Sequence, residues 1–169
     1  QATQTYFIGL AFSSDGSQLY ASIGSLTDPL AKKKGSVGNG IAVYKFENGN
    51  VTPARFLSIP PQPITAGKKR ARDLKAAPAG TAPPFPAGLA ALKQNGSADH
   101  LLIADNLSDD VLLMDTADGK ILKRFDLSAG DWVPSQYPFQ VVVNKEGTRA
   151  WVSLWNASHV AELDLAKGA

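Results

Sequence analysis

Apolar residues along this chain fall into short runs separated by polar clusters rich in Gly, Asn, Asp and Ser, and the same order of runs and turns occurs three times. The first copy has an apolar run at Tyr6–Phe12, a turn at Asp15-Gly16, a run at Leu19–Ile23, a long loop and a run at Ile41–Phe46. The second has Phe85–Ala91, Asn95-Gly96, His100–Ala104 and Val111–Asp115; the third has Tyr137–Val143, Glu146-Gly147, Ala150–Leu154 and Val160–Asp164. The Gly of each pair supplies the positive φ that a tight hairpin turn demands, so each pair joins two antiparallel strands. Further turns follow the third runs at Asn48-Gly49, Asp118-Gly119 and Lys167-Gly168, and a fourth run appears in two copies, Arg55–Ile59 and Ile121–Leu127. The repeating unit is a four-stranded meander. Ala87 to Lys93 alone would favour a short helix, since Ala and Leu are good helix formers; its place in the repeat assigns it to a strand.

Four-stranded meanders recurring along a chain are the blades of a β-propeller. The predicted fold is therefore all-β: about three four-stranded antiparallel blades of an incomplete ring, the chain being a fragment of a larger propeller. Blade 1 covers about 6–60, a loop insertion about 60–84, blade 2 about 85–128 and an incomplete blade 3 about 137–169. First runs are apolar on both faces, as innermost strands between neighbouring blades must be, whereas Val160, Glu162 and Asp164 alternate with Ala161, Leu163 and Leu165 as in an outer strand. A β-sandwich is the structural alternative, and three copies of one hairpin unit fit it less naturally. The chain stops at Lys167-Gly168-Ala169, where a fourth strand is due. An unclosed stack leaves bare edges and apolar faces, so the expected partners are the remaining blades of the same protein or a second copy in a homodimer.

Composition narrows the chemistry more than the fold. At 169 residues the chain is long enough for one self-sufficient core, and 44% hydrophobic with 19% charged residues excludes disorder and collagen. The absence of cysteine excludes disulfides, Cys-ligated metals and thiol nucleophiles. No apolar run approaches the roughly 18 residues of a spanning helix, so no membrane partner is expected. A net charge of +2 is too mild to imply nucleic acid.

In a propeller blade the turns after first and third strands share one face, and here all of those are tight. The long loops share the other: Gly24–Gly40, Pro60–Pro84, Asp105–Asp110, Gly130–Gln136 and Trp155–Ser158. Function concentrates on loops carried by a rigid scaffold, which points to that second face. Asp105, Asn106, Trp132, Tyr137, Trp155 and Asn156 are the candidate ligand-binding residues, the aromatics as a binding floor or as packing between blades. Lys32, Lys33 and Lys34 with Lys68, Lys69, Arg70 and Arg72 form a candidate patch for an anionic partner. Asp28, Asp73, Asp109, Asp110 and Asp131 nearly balance them, and no interleaved aromatics point to nucleic acid. Asp105, Asn106, Asp109 and Asp110 carry oxygens a hard cation could use, but their spacing matches no EF-hand and turn chemistry explains them as well, so no metal site is assigned. His100 and His159 lack metal-ligand spacing. Gly35–Gly40 lacks phosphate-loop spacing, and there is no G-x-S-x-G elbow.

The segments Gly9–Tyr20 and Tyr137–Ser153 resemble the YVTN-type propeller repeats of YncE-like bacterial proteins, and the resemblance covers nearly the whole chain outside 60–84. It implies relatives that include phosphogluconolactonase-like enzymes, heavy subunits of periplasmic amine dehydrogenases and binding domains preceding a phosphoesterase. It also implies a periplasmic or extracellular location. The leading expectation is a noncatalytic module that binds a ligand or protein through its long-loop face, with no catalytic residue and no cofactor assigned. The alternatives are a fragment of a lactonase-like propeller hydrolase, and a propeller domain or subunit attached to a phosphoesterase or a periplasmic dehydrogenase. Propellers host many functions, so the fold alone does not choose.

Overall fold

The computed structural model describes residues 6–71, 74, 77–93 and 99–168. Strands β1 (Tyr6–Phe12), β2 (Gln18–Gly24), β3 (Gly40–Glu47) and β4 (Asn50–Ser58) form one antiparallel sheet in chain order. Three two-residue strands follow within the next connection: β5 (Gln62–Pro63), β6 (Lys69–Arg70) and β7 (Thr81–Ala82). A second four-stranded sheet comprises β8 (Pro86–Leu92), β9 (His100–Asp105), β10 (Asp110–Asp115) and β11 (Ile121–Asp126). After the short β12 (Trp132–Val133), a third sheet comprises β13 (Pro138–Val143), β14 (Arg149–Leu154) and β15 (His159–Asp164). The described residues contain no helix, and Ala87 to Leu92 is strand. The two-residue turn Asn48-Gly49 holds φ values of 52° and 76°, the doubly positive geometry that matches strand twist. The Asn95-Gly96 turn lies outside the described residues.

The three innermost strands, β1, β8 and β13, share a device that composition did not reveal. Each carries a register shift near its start, between Phe7 and Leu10, Pro86 and Leu89, and Pro138 and Gln140. A bulge there bends the strand and frees an amide from the ladder. In the first sheet Ser22 Oγ accepts the Gly9 N–H at 2.8 Å, and in the third Ser153 Oγ accepts the Gln140 N–H at 3.0 Å. Adjacent innermost strands also approach closely at this level. A Cβ on Gly9 would collide with the Ala87 carbonyl oxygen, and one on Gly88 would lie 2.7 Å from the Phe139 carbonyl oxygen. Only glycine allows backbones this close.

The core has two main parts, one on each side of the middle sheet. Leu101 and Ile103 pack with Tyr20, Ile41 and Val43 of the first sheet, and Leu102 and Ala104 pack with Val141, Ala150 and Val152 of the third. Alternate residues of β9 therefore serve opposite layers, which is why its sequence is a continuous apolar run. The faces turned away from the middle sheet are only partly covered: Leu10 and Phe12 on β1, and Val142 and Val160 on the third sheet, are exposed.

Candidate functional site

At the long-loop end the starts of the innermost strands surround a cavity of about 210 Å³, lined by Ile8, Phe85, Ala87, Asn106, Phe139 and Trp155. That is the space of about seven waters. Phe139 and Trp155 form its aromatic floor, with ring centroids 6.0 Å apart and planes tilted by 48°. Trp155 is 73% exposed and Phe139 42%, so these rings face solvent rather than filling a core. An apolar concavity with exposed aromatic faces suits a ring-shaped ligand.

Directly behind Phe85 lies a pair of buried acids. Asp105 ends β9 and Asp110 begins β10, and the two are cross-strand partners, so their side chains project from the same face of the sheet. Both are fully buried. Asp105 Oδ1 accepts the Phe85 backbone N–H, while its Oδ2 has no hydrogen-bond partner among the described residues. Asp110 pairs with Arg124, whose Nε lies 2.7 Å from Asp110 Oδ1 and whose Nη2 lies 3.8 Å from Asp126 Oδ2. Burial pushes both Asp105 and Asp110 up to about 7. Two adjacent carboxyls with one cation hold a proton as a unit. Arg124 favours charge on Asp110, which places the proton on Asp105, where the nearby Asp110 charge also favours it. Asp126 moves the other way: burial raises its pKa, but hydrogen bonds from Ser128 and Thr65 and the charge of Arg124 outweigh this and lower it.

Asn106 lines the cavity but donates its amide to the Pro138 carbonyl at 3.1 Å, as Asn39 does to Pro84 at 2.7 Å. Both asparagines tie one sheet to the start of the next. Asp109 accepts the N–H groups of Gln136 and Tyr137 at 3.0 and 2.9 Å and the Ser135 hydroxyl at 2.8 Å. Asp105 and Asp110 thus face Phe85 and Arg124, while Asn106 and Asp109 serve residues 135–138, and the four do not converge. No group of three or more acidic or histidine side chains suited to a metal ion occurs among the described residues.

Trp132 stands away from the cavity on β12, which pairs with β6, and Lys69 Nζ lies 5.8 Å from its ring centroid. Tyr137 is half-buried at φ 54°, and Asn156 donates to the Ser135 carbonyl at 3.1 Å. Of the basic residues, Lys33 and Lys34 are exposed, and the backbone N–H groups of Lys32 and Lys33 donate to Asp28 at 2.8 and 3.0 Å. Lys68 donates to the Ser128 carbonyl and hydroxyl at 2.6 Å each, and Arg70 donates to the carbonyls of Ala77, Pro78 and Thr81. These two cations fasten the 60–84 connection to itself and to the loop after β11. Arg72 lies outside the described residues. Sequence reasoning missed Phe85, Phe139 and Arg124; an aromatic at the start of two first runs was the available signal for the first two.

No protein-family model and no curated protein sequence matches this chain. Solved structures do. The periplasmic gluconolactonase of Pseudomonas aeruginosa superposes with a TM-score of 0.59 at 14% identity, covering 97% of this chain and 40% of that one. A Bacteroides uniformis protein and a Bacteroides fragilis protein, each assigned as a 6-phosphogluconolactonase, give TM-scores of 0.47 at 13% and 15% identity. They cover 100% and 98% of this chain and 56% and 55% of theirs. The chain therefore spans about two fifths of the length of the Pseudomonas protein and somewhat over half of the other two. At these identities the likeness shows the fold, an all-β architecture of the lactonase propeller type.

Proposed function

We propose that this chain is part of an exported sugar-lactone hydrolase built from YVTN-type blades, with its reaction on the long-loop face. The observation that carries the reading is the buried acid pair, poised near neutrality, behind an aromatic-floored cavity. The likeness to a periplasmic gluconolactonase along 97% of the chain supports it and outweighs the noncatalytic module that the sequence alone favours. Opening a lactone adds water to the ring carbonyl and breaks the ring C–O bond, giving a hydroxy acid. One group must take a proton from the water and another must supply one to the departing ring oxygen. A carboxyl pair sharing one proton offers both. Asp105 is the member joined to the cavity lining, through the backbone N–H of Phe85. The lining carries no charged side chain, so the fitting substrate is an uncharged lactone whose apolar ring face lies on Phe139 and Trp155.

Hydrolysis of glucono-δ-lactone, followed with a pH indicator near pH 6.5, tests this. Asp105→Asn should lower the rate by about 10²-fold or more. A wild-type rate equal to spontaneous opening would return the chain to a noncatalytic binding role.

We further propose that additional blades of a longer polypeptide cover the outward faces bearing Leu10 and Phe12 on one side and Val142 and Val160 on the other. Light scattering over a range of concentrations tests this: self-association of the 17.8 kDa chain through these faces is expected, and a monomer at every concentration would contradict it.

A further inference from the structure

Asp105, Asp110 and Asp126 stand in one cross-strand row over three adjacent strands, since Asp110 is the partner of Asp105 on one side and of Asp126 on the other. Like charges directly opposite repel, so three carboxyls in one row must be stabilised in different ways. Asp105 holds the shared proton, and Asp110 faces Arg124. Asp126 is fastened from outside the sheet. Its Oδ1 accepts the Ser128 backbone N–H at 2.9 Å and the Ser128 hydroxyl at 2.5 Å, and its Oδ2 accepts the Thr65 hydroxyl. Lys68 Nζ in turn donates to the carbonyl and hydroxyl oxygens of Ser128 at 2.6 Å each. Thr65 and Lys68 both belong to the 60–84 connection, which β6 also joins to β12. The Asp126 side chain is 27% exposed against 0% for Asp110, so with its three donors it stays ionised beside the buried pair.

Arg124 lies two residues before Asp126 on β11 and so projects from the same face of the sheet. It is shared between two carboxylates. Its Nε is 2.7 Å from Asp110 Oδ1 and its Nη2 is 3.8 Å from Asp126 Oδ2. No N–H is aimed along the first of these contacts: Arg124 Nε and both Asp110 oxygens are buried without a hydrogen bond among the described residues. A guanidinium that serves one carboxylate alone turns to give it two parallel N–H···O bonds. Here a second carboxylate stands on its other side, and the guanidinium lies askew to Asp110. The charges that bear on the acid pair are those of Arg124 and Asp126. Asp109 turns away to Gln136 and Tyr137, the first sheet packs the apolar Leu57 and Ile59 against this layer, and Lys68 reaches the row only through Ser128.

We propose that Asp126 is a positioning residue of this site: it holds back one side of Arg124, so that the guanidinium closes only partly on Asp110 and the acid pair keeps its shared proton. The 60–84 connection, through Thr65 and Lys68, fixes Asp126 in that place. This role rests on the acid pair being the reacting group proposed above, and its test reads the pair directly. Carbon-13 carboxyl titration of the full chain across neutral pH follows Asp105 and Asp110. Asp126→Asn removes the charge, and Asp126→Ser is a second uncharged variant that keeps a hydroxyl for the same donors. Asp131→Asn removes an exposed charge from the neighbouring loop as the control. Without the Asp126 charge, Arg124 favours the ionised pair more strongly. The carboxyl midpoint should therefore fall by about half a pH unit or more in both Asp126 variants and move by less than about 0.2 in Asp131→Asn. The limb of the kcat/KM profile for glucono-δ-lactone that reports the pair should move the same way. A midpoint unchanged or raised in both Asp126 variants, or lowered as much by Asp131→Asn, would overturn the proposal. A wild type inactive on the lactone would remove the hydrolase reading alone, since the carboxyl midpoints still decide the role of Asp126.

Discussion

Replacing Asp105 with Asn should blunt the way this protein responds to alkali. In the folded chain burial and the neighbouring Asp110 push Asp105 from 3.8 up to about 7, so the acid keeps its proton when folded and releases it when unfolded. Between those two values the folded state binds more protons, and stability falls as pH rises. The stabilisation is complete below about pH 4 and is lost as pH passes about 7. The move from 3.8 to about 7 corresponds to about 4 kcal/mol for one proton at 1.36 kcal/mol per pH unit. The carboxylates with lowered pKa values, Asp15, Asp28, Asp126 and Asp164, titrate at lower pH than an ordinary carboxylate, held down by hydrogen bonds to their charged forms. Their opposite contribution, stability lost as pH falls, therefore lies below pH 5, which leaves the window from pH 5 to 8 to the acid pair. Urea denaturation midpoints at half-unit steps across that window give the slope. Wild type should lose several kcal/mol, and Asp105→Asn, an amide of the same shape that cannot ionise, should lose clearly less, keeping only the slope of Asp110, and be the more stable of the two at pH 8. A wild-type stability that stays level or rises from pH 5 to 8 would refute the placement of a shared proton at this pair.

Removing the cation probes the same unit from its other side. Arg124→Met leaves the Asp110 charge buried without its partner and should cost about 3 kcal/mol or more at pH 8, and clearly less at pH 5, where Asp110 takes up a proton, in the same denaturation assay. Ser22→Ala strips the bulged Gly9 amide of its acceptor in a fully buried setting and should destabilise by about 1–3 kcal/mol. Ser153→Ala, on the exposed counterpart, should cost less than about 1 kcal/mol. Trp155→Ala removes an exposed ring, so the denaturation midpoint should move by no more than about 0.5 kcal/mol, while KM for glucono-δ-lactone should rise about fivefold or more.

What was legible in the sequence, and what was not, follows from the range of the interactions involved. The eleven strands of the three sheets were visible because each is a run of several apolar residues closed by a turn residue of restricted φ, and threefold recurrence settled Ala87 to Leu92 against its helix propensity. The short strands β5, β6, β7 and β12 gave no signal, since two residues carry no periodicity and their pairing is dictated by where distant loops meet. For the same reason Lys68 and Arg70 read as a solvated basic patch. Nothing in Lys68-Lys69-Arg70 announces that its carbonyl acceptors lie at Ser128 and at Ala77 to Thr81. Asp105 was singled out as a loop oxygen ligand; its role changes once Arg124, two strands away, is seen to take the charge of Asp110 and leave Asp105 beside it with none. The chemistry of this chain thus depends on pairings between strands rather than on neighbours in sequence. The same cross-strand logic places Gln18, Tyr20 and Arg55 on one face of the first sheet, although 37 positions separate Gln18 from Arg55. A β-meander brings such residues together by register alone, so in this fold a cluster of polar side chains is specified by the turns that set the register as much as by the residues that form it.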